Sequence, residues 1–165
     1  MPASKPLSKP VPFRISALER KLFSNLLSMS DVELARHDAR WVTVDAKPGF
    51  PCRVSLEDAA VGERALLAPF THHDVDSPYR ASGPIYVREI AQTRKLAVNE
   101  IPEMLERRPL SVRAYTSEAM MVAAQVVDGH ELRETIHTLL ATPSVRYLHL
   151  HNAGPGCFNC AVTTD

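Results

Sequence analysis

The stretch VRYLHLHNAGPGCFNCAVT, residues 145–163, contains two predicted strands around a turn. In its first half, leucines alternate with Tyr and His, and a period of two is typical of a strand with one buried face. Residues 152–156, NAGPG, predict the turn because Gly and Pro favour tight backbone reversals. Residues 157–163 predict a second strand. Two strands joined by so short a turn pair antiparallel, so this stretch favours an antiparallel sheet.

Similar patterns extend upstream through the chain. Alternation or short apolar runs predict strands at 13–15, 41–45, 52–56, 64–70, 85–89, 110–115 and 121–127. Apolar spacing and caps predict helices over 17–27, from a capping box at Ser30 to about His37, over 101–107, and from an N-cap at Asp128 to Pro143. The polar residues 71–84 predict a loop. Strands joined by short turns, with irregularly inserted helices, predict a single α+β domain, a mostly antiparallel sheet with a few helices packed on one face.

The length and composition are those of one globular domain. The chain has 165 residues, of which 45% are hydrophobic and 23% charged, as is usual for folded domains. Residues 1–11 are rich in Pro, Ser and Lys. We therefore predict a flexible tail over 1–11 and a single α+β domain over 12–165.

The charge balance and the cysteine count argue against several classes of protein. The 19 basic residues equal the 19 acidic residues in number, so nucleic acid is not an expected partner. No run approaches the ~18 apolar residues of a membrane span, and the N-terminus lacks the apolar segment of a secretion signal. Three cysteines, an odd number, do not favour a disulfide framework. We expect no membrane partner, reduced thiols and a cytoplasmic location.

Five segments of the chain resemble, as a set, a known bacterial family. They are AKPGFPCRVSLEDA (46–59), DSPYRASGPIYVRE (76–89), LSVRAY (110–115), VVDGHEL (126–132) and YLHLHNAGPGCFNC (147–160). The family is of roughly this length and is catalogued as a domain of unknown function, and the resemblance extends from about residue 12 to the end. It implies a single bacterial domain. It implies no activity, substrate or catalytic residue.

The C-terminal hairpin contains candidate catalytic residues. His149, His151, Cys157 and Cys160 have the atoms of a tetrahedral zinc site. Cys157 and Cys160 are three apart, so on a regular strand they face opposite sides, and we predict no metal and no other cofactor. No helix is predicted after the two cysteines, which disfavours thioredoxin-like redox chemistry. In a hairpin closed by 152–156, Cys157 lies nearly opposite His151, and a thiol beside a base makes these two residues the catalytic candidates.

Three predicted strands place Tyr, Arg or His on the face opposite their apolar residues. The residues concerned are Tyr86, Arg88, Arg113, Tyr115, His149 and His151. If the strands are neighbours, these side chains line one surface, where Arg and His can bind a carboxylate or a phosphate. The alternative interpretation is an ordinary solvated sheet face. By the same alternation, Cys52 is predicted to face the core, with Arg53 on the opposite side.

The predicted ligand site lies where Arg88, Arg113 and His151 meet the turn at Asn152, because Gly/Pro-rich turns can present backbone N–H groups to an anion. Arg80, in the predicted loop, is expected to cover it, and Tyr115 and His149 complete the set of ligand-binding candidates. Two functions follow. The domain binds, or acts on, a small anionic molecule, or it is a non-enzymatic interaction or oligomerisation module, such as a homodimer, without a ligand site. The sequence leaves open whether the chain is an enzyme.

Overall fold

The structure, a computed structural model, describes residues 9–165 and confirms the predicted α+β class and antiparallel pairing. Within these residues, the strands are β1 (Phe13–Ser16), β2 (Arg40–Thr43), β3 (Arg64–His73), β4 (Ala81–Arg88), β5 (Pro109–Tyr115), β6 (Met121–Asp128), β7 (Tyr147–Asn152) and β8 (Phe158–Thr164). The α-helices are α1 (Ser24–Leu27), α2 (Asp31–Ala35), α3 (Glu103–Glu106) and α4 (Leu132–Leu140), with 3-10 turns at Arg20–Phe23 and Gly129–Glu131. None of the helices in this part of the chain could span a membrane. The predicted tail lies mostly outside the described residues.

The larger sheet has five strands in the order β1-β8-β7-β5-β6. Alternate residues of its central strands, such as Val112 and Leu150, are fully buried in the main core with Ile136 of α4. Because successive residues of a strand point to opposite faces, the same alternation turns the polar residues of β5 and β7 away from α4.

The smaller sheet has three strands in the order β2-β3-β4 and its own core. Phe23 and Leu34, from the N-terminal helical segments, pack there with Leu66 of β3 and Ile85 of β4. The predicted strands at 64–70 and 85–89 therefore belong to a second sheet, and β4 pairs with β3 only.

The predicted helix ends are largely confirmed. Ser30 and Glu33 form the capping box of α2. Asp128 accepts a hydrogen bond from the amide of His130 at 3.0 Å, but it caps the 3-10 turn Gly129–Glu131, and α4 itself begins only at Leu132. The helix predicted over 17–27 is shorter than expected, since only Arg20–Phe23 and α1 are helical. Gly129 is packed so closely that a Cβ atom there would lie 2.1 Å from the carbonyl oxygen of Leu105, so this position requires glycine.

Two local predictions were wrong. The predicted loop 71–84 is shorter, because β3 continues to His73 and pairs with Ala81 of β4, which leaves 74–80 as the connection. Residues 52–56 do not form an extended strand: Cys52 makes one isolated bridge to Tyr86 and the chain then turns. The turn buries Arg53, whose exposed fraction is 1%, together with Cys52.

Candidate functional site

The strand register brings two of the three predicted polar strands together. In the larger sheet β5 pairs with β7, so that Arg113 is opposite His149, Ser111 is opposite His151, and Tyr115 is opposite Tyr147. The rings of Tyr115 and Tyr147 stack, with centroids 5.2 Å apart. Directly paired residues project from the same face of a sheet. The prediction that Arg113, Tyr115, His149 and His151 share one face therefore agrees with the register.

The end of β3 covers this face where β7 and β8 form it. His72 stacks on Phe158 of β8, with centroids 5.1 Å apart and planes 11° from parallel, and its ring lies 5.1 Å from that of His151. His73 lies 4.9 Å from the ring of His149. The face is thus buried between the two sheets, and His149 and His151 are only 6% and 1% exposed. We call His72, His73, His149 and His151 the histidine cluster.

Hydrogen bonds define the neutral tautomer of His73. Its Nδ1 lies 2.8 Å from the carbonyl oxygen of Tyr79, which can only accept, so Nδ1 carries the proton. Its Nε2 lies 2.6 Å from the hydroxyl of Tyr147. In the neutral ring Nε2 is an acceptor, so the Tyr147 hydroxyl donates to it. Both ring nitrogens of His73 are therefore hydrogen-bonded, and the ring connects loop 74–80 to β7.

The other three histidines each keep a buried nitrogen without a partner. His151 donates from Nδ1 to the carbonyl of Gly156 at 2.9 Å, which leaves Nε2 as an unprotonated acceptor. That nitrogen is buried and forms no hydrogen bond, as is also true of Nδ1 of His72 and Nδ1 of His149. A buried polar atom without a partner is costly, by about 1–3 kcal/mol each, and such atoms are uncommon in folded proteins. Three in one cluster indicate a place where polar groups from outside the chain can bind.

Burial keeps these three rings uncharged at neutral pH. It lowers the pKa of His72 and of His151 to about 4 and the pKa of His149 to about 3. Burial is the largest cause of each shift, and neighbouring positive charge, including that of Arg113, contributes to it. Burial also raises the pKa of Tyr115 and of Tyr147, so both phenols keep their protons and can donate.

Arg113 is the charged group of this face. Its Nε donates to the hydroxyl of Ser111 at 3.2 Å. Among residues 9–165, no carboxylate lies within ion-pair distance of its guanidinium. A half-buried guanidinium without a counter-charge, next to neutral acceptors and phenol donors, suits a carboxylate or a phosphate.

Arg53 is a second cation near the cluster, and the sequence prediction placed it on the wrong side. It donates from Nε to the carbonyl of Phe158 at 2.7 Å and from Nη1 to the carbonyl of Pro51. Burial lowers its pKa to about 10, so it stays charged at neutral pH, and its charge helps to lower the pKa of His151. The alternating pattern of 52–56 did not predict the burial of Arg53. The pattern is that of a strand with one exposed face, whereas the segment is a turn with buried residues on both sides.

The structure does not bring Arg88 or Arg80 to this face. Arg88 is on β4, in the other sheet, where it is hydrogen-bonded to Glu63 at 2.9 Å and to Glu57 at 2.8 Å, on the wall of a separate cavity of about 510 Å³. Tyr86 packs on Phe50 in a small third core. Arg80 pairs with Asp74 at the surface of the loop. Strand alternation predicts a face, but it cannot say which strands are neighbours.

The hairpin turn differs from its predicted role. The amide of Asn152 donates to the carbonyl of Cys157, the amide of Gly156 donates to the carbonyl of Asn152, and the side chain of Asn152 accepts from Asn159 at 2.7 Å. A bulge shifts the register of β7 and β8, so that His151 is opposite Phe158. The amide of Asn152, not His151, bonds to the backbone of Cys157. The expected His151–Cys157 pairing across the hairpin is therefore not formed.

The match to a known family covers most of this architecture. The family described as "Protein of unknown function (DUF1203)" matches residues 49–164. The chain belongs to this family. No curated protein and no solved structure matches the chain significantly. The DUF1203 segment contains β3 to β8 and α4, so the whole histidine cluster, Arg113 and Arg53 lie within it.

The histidine cluster and the cysteines of the DUF1203 segment are not arranged as a metal site in the described part of the chain. In the described part of the chain, no three His, Cys, Asp or Glu side chains are arranged to hold a metal ion. Cys160 is fully buried on the α4 side of the sheet, where burial raises its pKa to about 12, and Cys157 is half-buried and directly precedes β8. All three cysteines are free thiols.

Proposed function

We propose that this DUF1203 domain binds a small anionic ligand, a carboxylate or a phosphate, at Arg113 beside the histidine cluster. The observation that supports it most is a guanidinium without a counter-charge next to three buried imidazole nitrogens without partners. An anion there would pair with Arg113 and accept from the phenol of Tyr115. Its negative charge would also favour protonation of a neighbouring imidazole, which could then donate to it.

The proposed site contains four of the residues predicted from the sequence and one further residue. Arg113, Tyr115, His149 and His151 share the face, and His72 is added from the end of β3. The predicted contributions of Arg80, Arg88, Asn152 and Cys157 have no support in the contacts of those residues.

The setting of this function follows from the whole chain. We infer a bacterial, cytoplasmic protein, because the charges balance, the three thiols are free, and the five family segments resemble a bacterial family. In that setting the ligand is a small metabolite with one or more acidic groups. The alternative, a homodimer or other interaction module without a ligand, differs in one respect: its function does not require Arg113 to be free.

The test is a titration of the purified full chain with inorganic phosphate and with acetate, followed by calorimetry and by thermal unfolding. We expect at least one anion to bind and to raise the unfolding temperature, since a ligand that binds only the native state stabilises it. Arg113→Gln should abolish this shift. Arg36→Gln, which removes an exposed arginine at the C-terminal end of α2, should not. Equal binding by both variants, or no binding of either anion to the unmodified protein, would overturn the proposal.

A further inference from the structure

The face that holds the histidine cluster is covered on one half and open on the other. β3 covers it over β7 and β8 and over Tyr115 of β5, whereas Ser111 and Arg113 are only partly buried and the β6 residues beside them are exposed. In the register of β5 and β6, Arg113 is opposite Ala124 and Ser111 is opposite Val126. Arg113 therefore lies at the boundary, with the neutral histidines on one side and the edge strand β6 on the other.

The open half is apolar beside Arg113. Val126 is 72% exposed, Val122 is 49% exposed, and Ala124 between them is also exposed. Strand alternation and the register place Ala124 and Val126 on the face of Arg113, and Val122 follows at the bulge where the register shifts. We call these three residues the β6 shelf. From Val122 to Val126 the shelf is about 13 Å long, four residue steps of roughly 3.3 Å.

One end of the β6 shelf is closed by loop 74–80. The hydroxyl of Ser77 donates to the carbonyl of Ala119 at 2.8 Å and lies 3.8 Å from the sulfur of Met120, which fixes the loop to the β5–β6 turn. Tyr79 of this loop has its ring 6.2 Å from that of Tyr115. Met120 and Tyr79 are 40% and 37% exposed, so they add apolar surface at that end.

We propose that the ligand is a monocarboxylate with an apolar body, whose carboxylate pairs with Arg113 and whose body lies on the β6 shelf. This inference rests on the proposed function and names the class of its ligand. Charge complementarity selects the anionic group, because Arg113 is the cation beside the shelf and has no carboxylate partner in the described chain. The shelf selects an apolar body, since exposed valines gain free energy when a ligand removes them from water.

The size of the shelf favours a small molecule over a second protein chain. A stable protein interface uses roughly 20–30 residues from each partner. The β6 shelf offers three side chains, with two more at its closed end. A body of about six carbons fits along the distance from Arg113 to either end of the shelf, roughly half of its length of about 13 Å.

The experiment compares three small molecules by calorimetry on the full chain: hexanoate, acetate and hexylammonium. We expect hexanoate to bind about tenfold more tightly than acetate, and hexylammonium, which has the same body and the opposite charge, not to bind. Val126→Asp should abolish the tenfold preference for hexanoate over acetate, because it replaces apolar surface of the shelf, while its negative charge beside Arg113 weakens both anions. Val61→Asp, at a position 65% exposed outside the shelf, is the matched control and should leave both unchanged.

The outcomes separate the two proposals. If acetate or phosphate binds through Arg113 and hexanoate binds no more tightly than acetate, the inference fails and the proposed function stands. If no anion binds, the proposed function fails, and the inference with it. If the unmodified chain is a dimer in sedimentation, and Val126→Asp makes it a monomer without weakening hexanoate, the shelf is occupied by a second copy and the inference is overturned.

Discussion

The surroundings of Arg88 and of Arg113 differ in one respect, their counter-charges. In the cavity of about 510 Å³ next to β4, Arg88 pairs with Glu63 and Glu57. Beside the histidine cluster, Arg113 pairs with no carboxylate of the described chain, and its neighbours are neutral rings. The charge of Arg88 is balanced by carboxylates of the chain itself. The charge of Arg113 and the unpartnered nitrogens of the histidine cluster are available to a group from outside the chain.

The difference teaches where charge supports the fold and where it is available for binding. Burial raises the pKa of Glu63, yet the Ala60 amide and Arg88 bond to its carboxylate, and the net effect is a lowered pKa. That carboxylate is therefore stabilised by the folded chain. In the histidine cluster the folded chain disfavours the charged forms of His72, His149 and His151, so protonation of these rings destabilises the fold.

The largest expected effect is a loss of stability in mild acid that comes from the histidine cluster. The folded-state pKa values of His72, His149 and His151 are about 4, about 3 and about 4, below the ordinary value of 6.5. As the pH falls below 6.5, the unfolded chain therefore takes up protons that the folded chain does not. Stability is complete above that pH and is lost as the pH falls towards 4, by about 3 kcal/mol between pH 7 and pH 5 after allowance for the partial exposure of His72.

Urea unfolding at several pH values measures this loss. His151→Phe should remove roughly a third of it, whereas His37→Asn, at an exposed position, should not change the slope. Carboxylates such as Glu63 have lowered pKa values and contribute only at lower pH. A stability that does not change between pH 7 and pH 5 would show that the cluster is not buried in solution.

The next largest effect contrasts the two arginines directly. Arg88→Met leaves Glu63, itself mostly buried, without its main partner, and we expect a loss of about 2 kcal/mol in the free energy of unfolding. Arg113→Met breaks no ion pair, and the neighbouring histidines are neutral at pH 7, so stability should stay within about 0.5 kcal/mol. Urea unfolding at pH 7 measures both variants. Equal losses would remove the distinction between the two regions.

A smaller effect contrasts two tyrosines. Tyr147→Phe removes the hydrogen bond to Nε2 of His73, and we expect a loss of about 1 kcal/mol because that buried nitrogen is then left without a donor. Tyr86→Phe, on the side of the charged cavity, keeps its ring on Phe50 and should change stability by less than about 0.5 kcal/mol. Thermal unfolding of the two variants side by side checks this, and a Tyr147 variant as stable as the Tyr86 variant would contradict the assigned bond.

The smallest effect concerns thiol reactivity and does not depend on stability. Cys157, half-buried near the cluster, should react first with iodoacetamide under native conditions. Cys52 and Cys160 are both fully buried, and burial also raises the pKa of Cys160, so both should react only after unfolding. Mass spectrometry of peptides assigns the modified residue. Denatured protein without reductant should give three free thiols, and a count of one would reveal a disulfide.

Much of the larger sheet could be predicted from the sequence, because alternation is a local property. The patterns of β5 and β7 place Arg113, Tyr115 and His149 opposite their core residues, and the sheet has them on one face. The face that each side chain takes is predictable in this way. The pairing of β5 with β7 and the placement of β4 in the other sheet were not, since pairing between strands that are distant in the sequence leaves no local signal.

The residues that complete the site were missed for identifiable reasons. His72 and His73 end a strand whose last residues are polar, and polar residues beside Gly and Pro indicate a loop. The buried Arg53 lies in a turn that resembles a strand in its pattern. The one available signal was the pair of adjacent histidines itself, next to an apolar strand.

The bulge between β7 and β8 also determines how the hairpin tolerates insertions and deletions. It lets Phe158 face the histidines and Cys160 face α4, two positions away, with Asn159 between them. Removal of Asn159 would make Phe158 and Cys160 successive residues, which face opposite sides of a regular strand, so both side chains would keep their faces and only the bulge would be lost. Removal of Ala161 would instead make Cys160 and Val162, which both face the main core, successive residues, and would force one of them to the other side of the sheet. Along a family of related chains, gaps should therefore collect in the turn at 153–156 and at position 159, and be absent from 160–162.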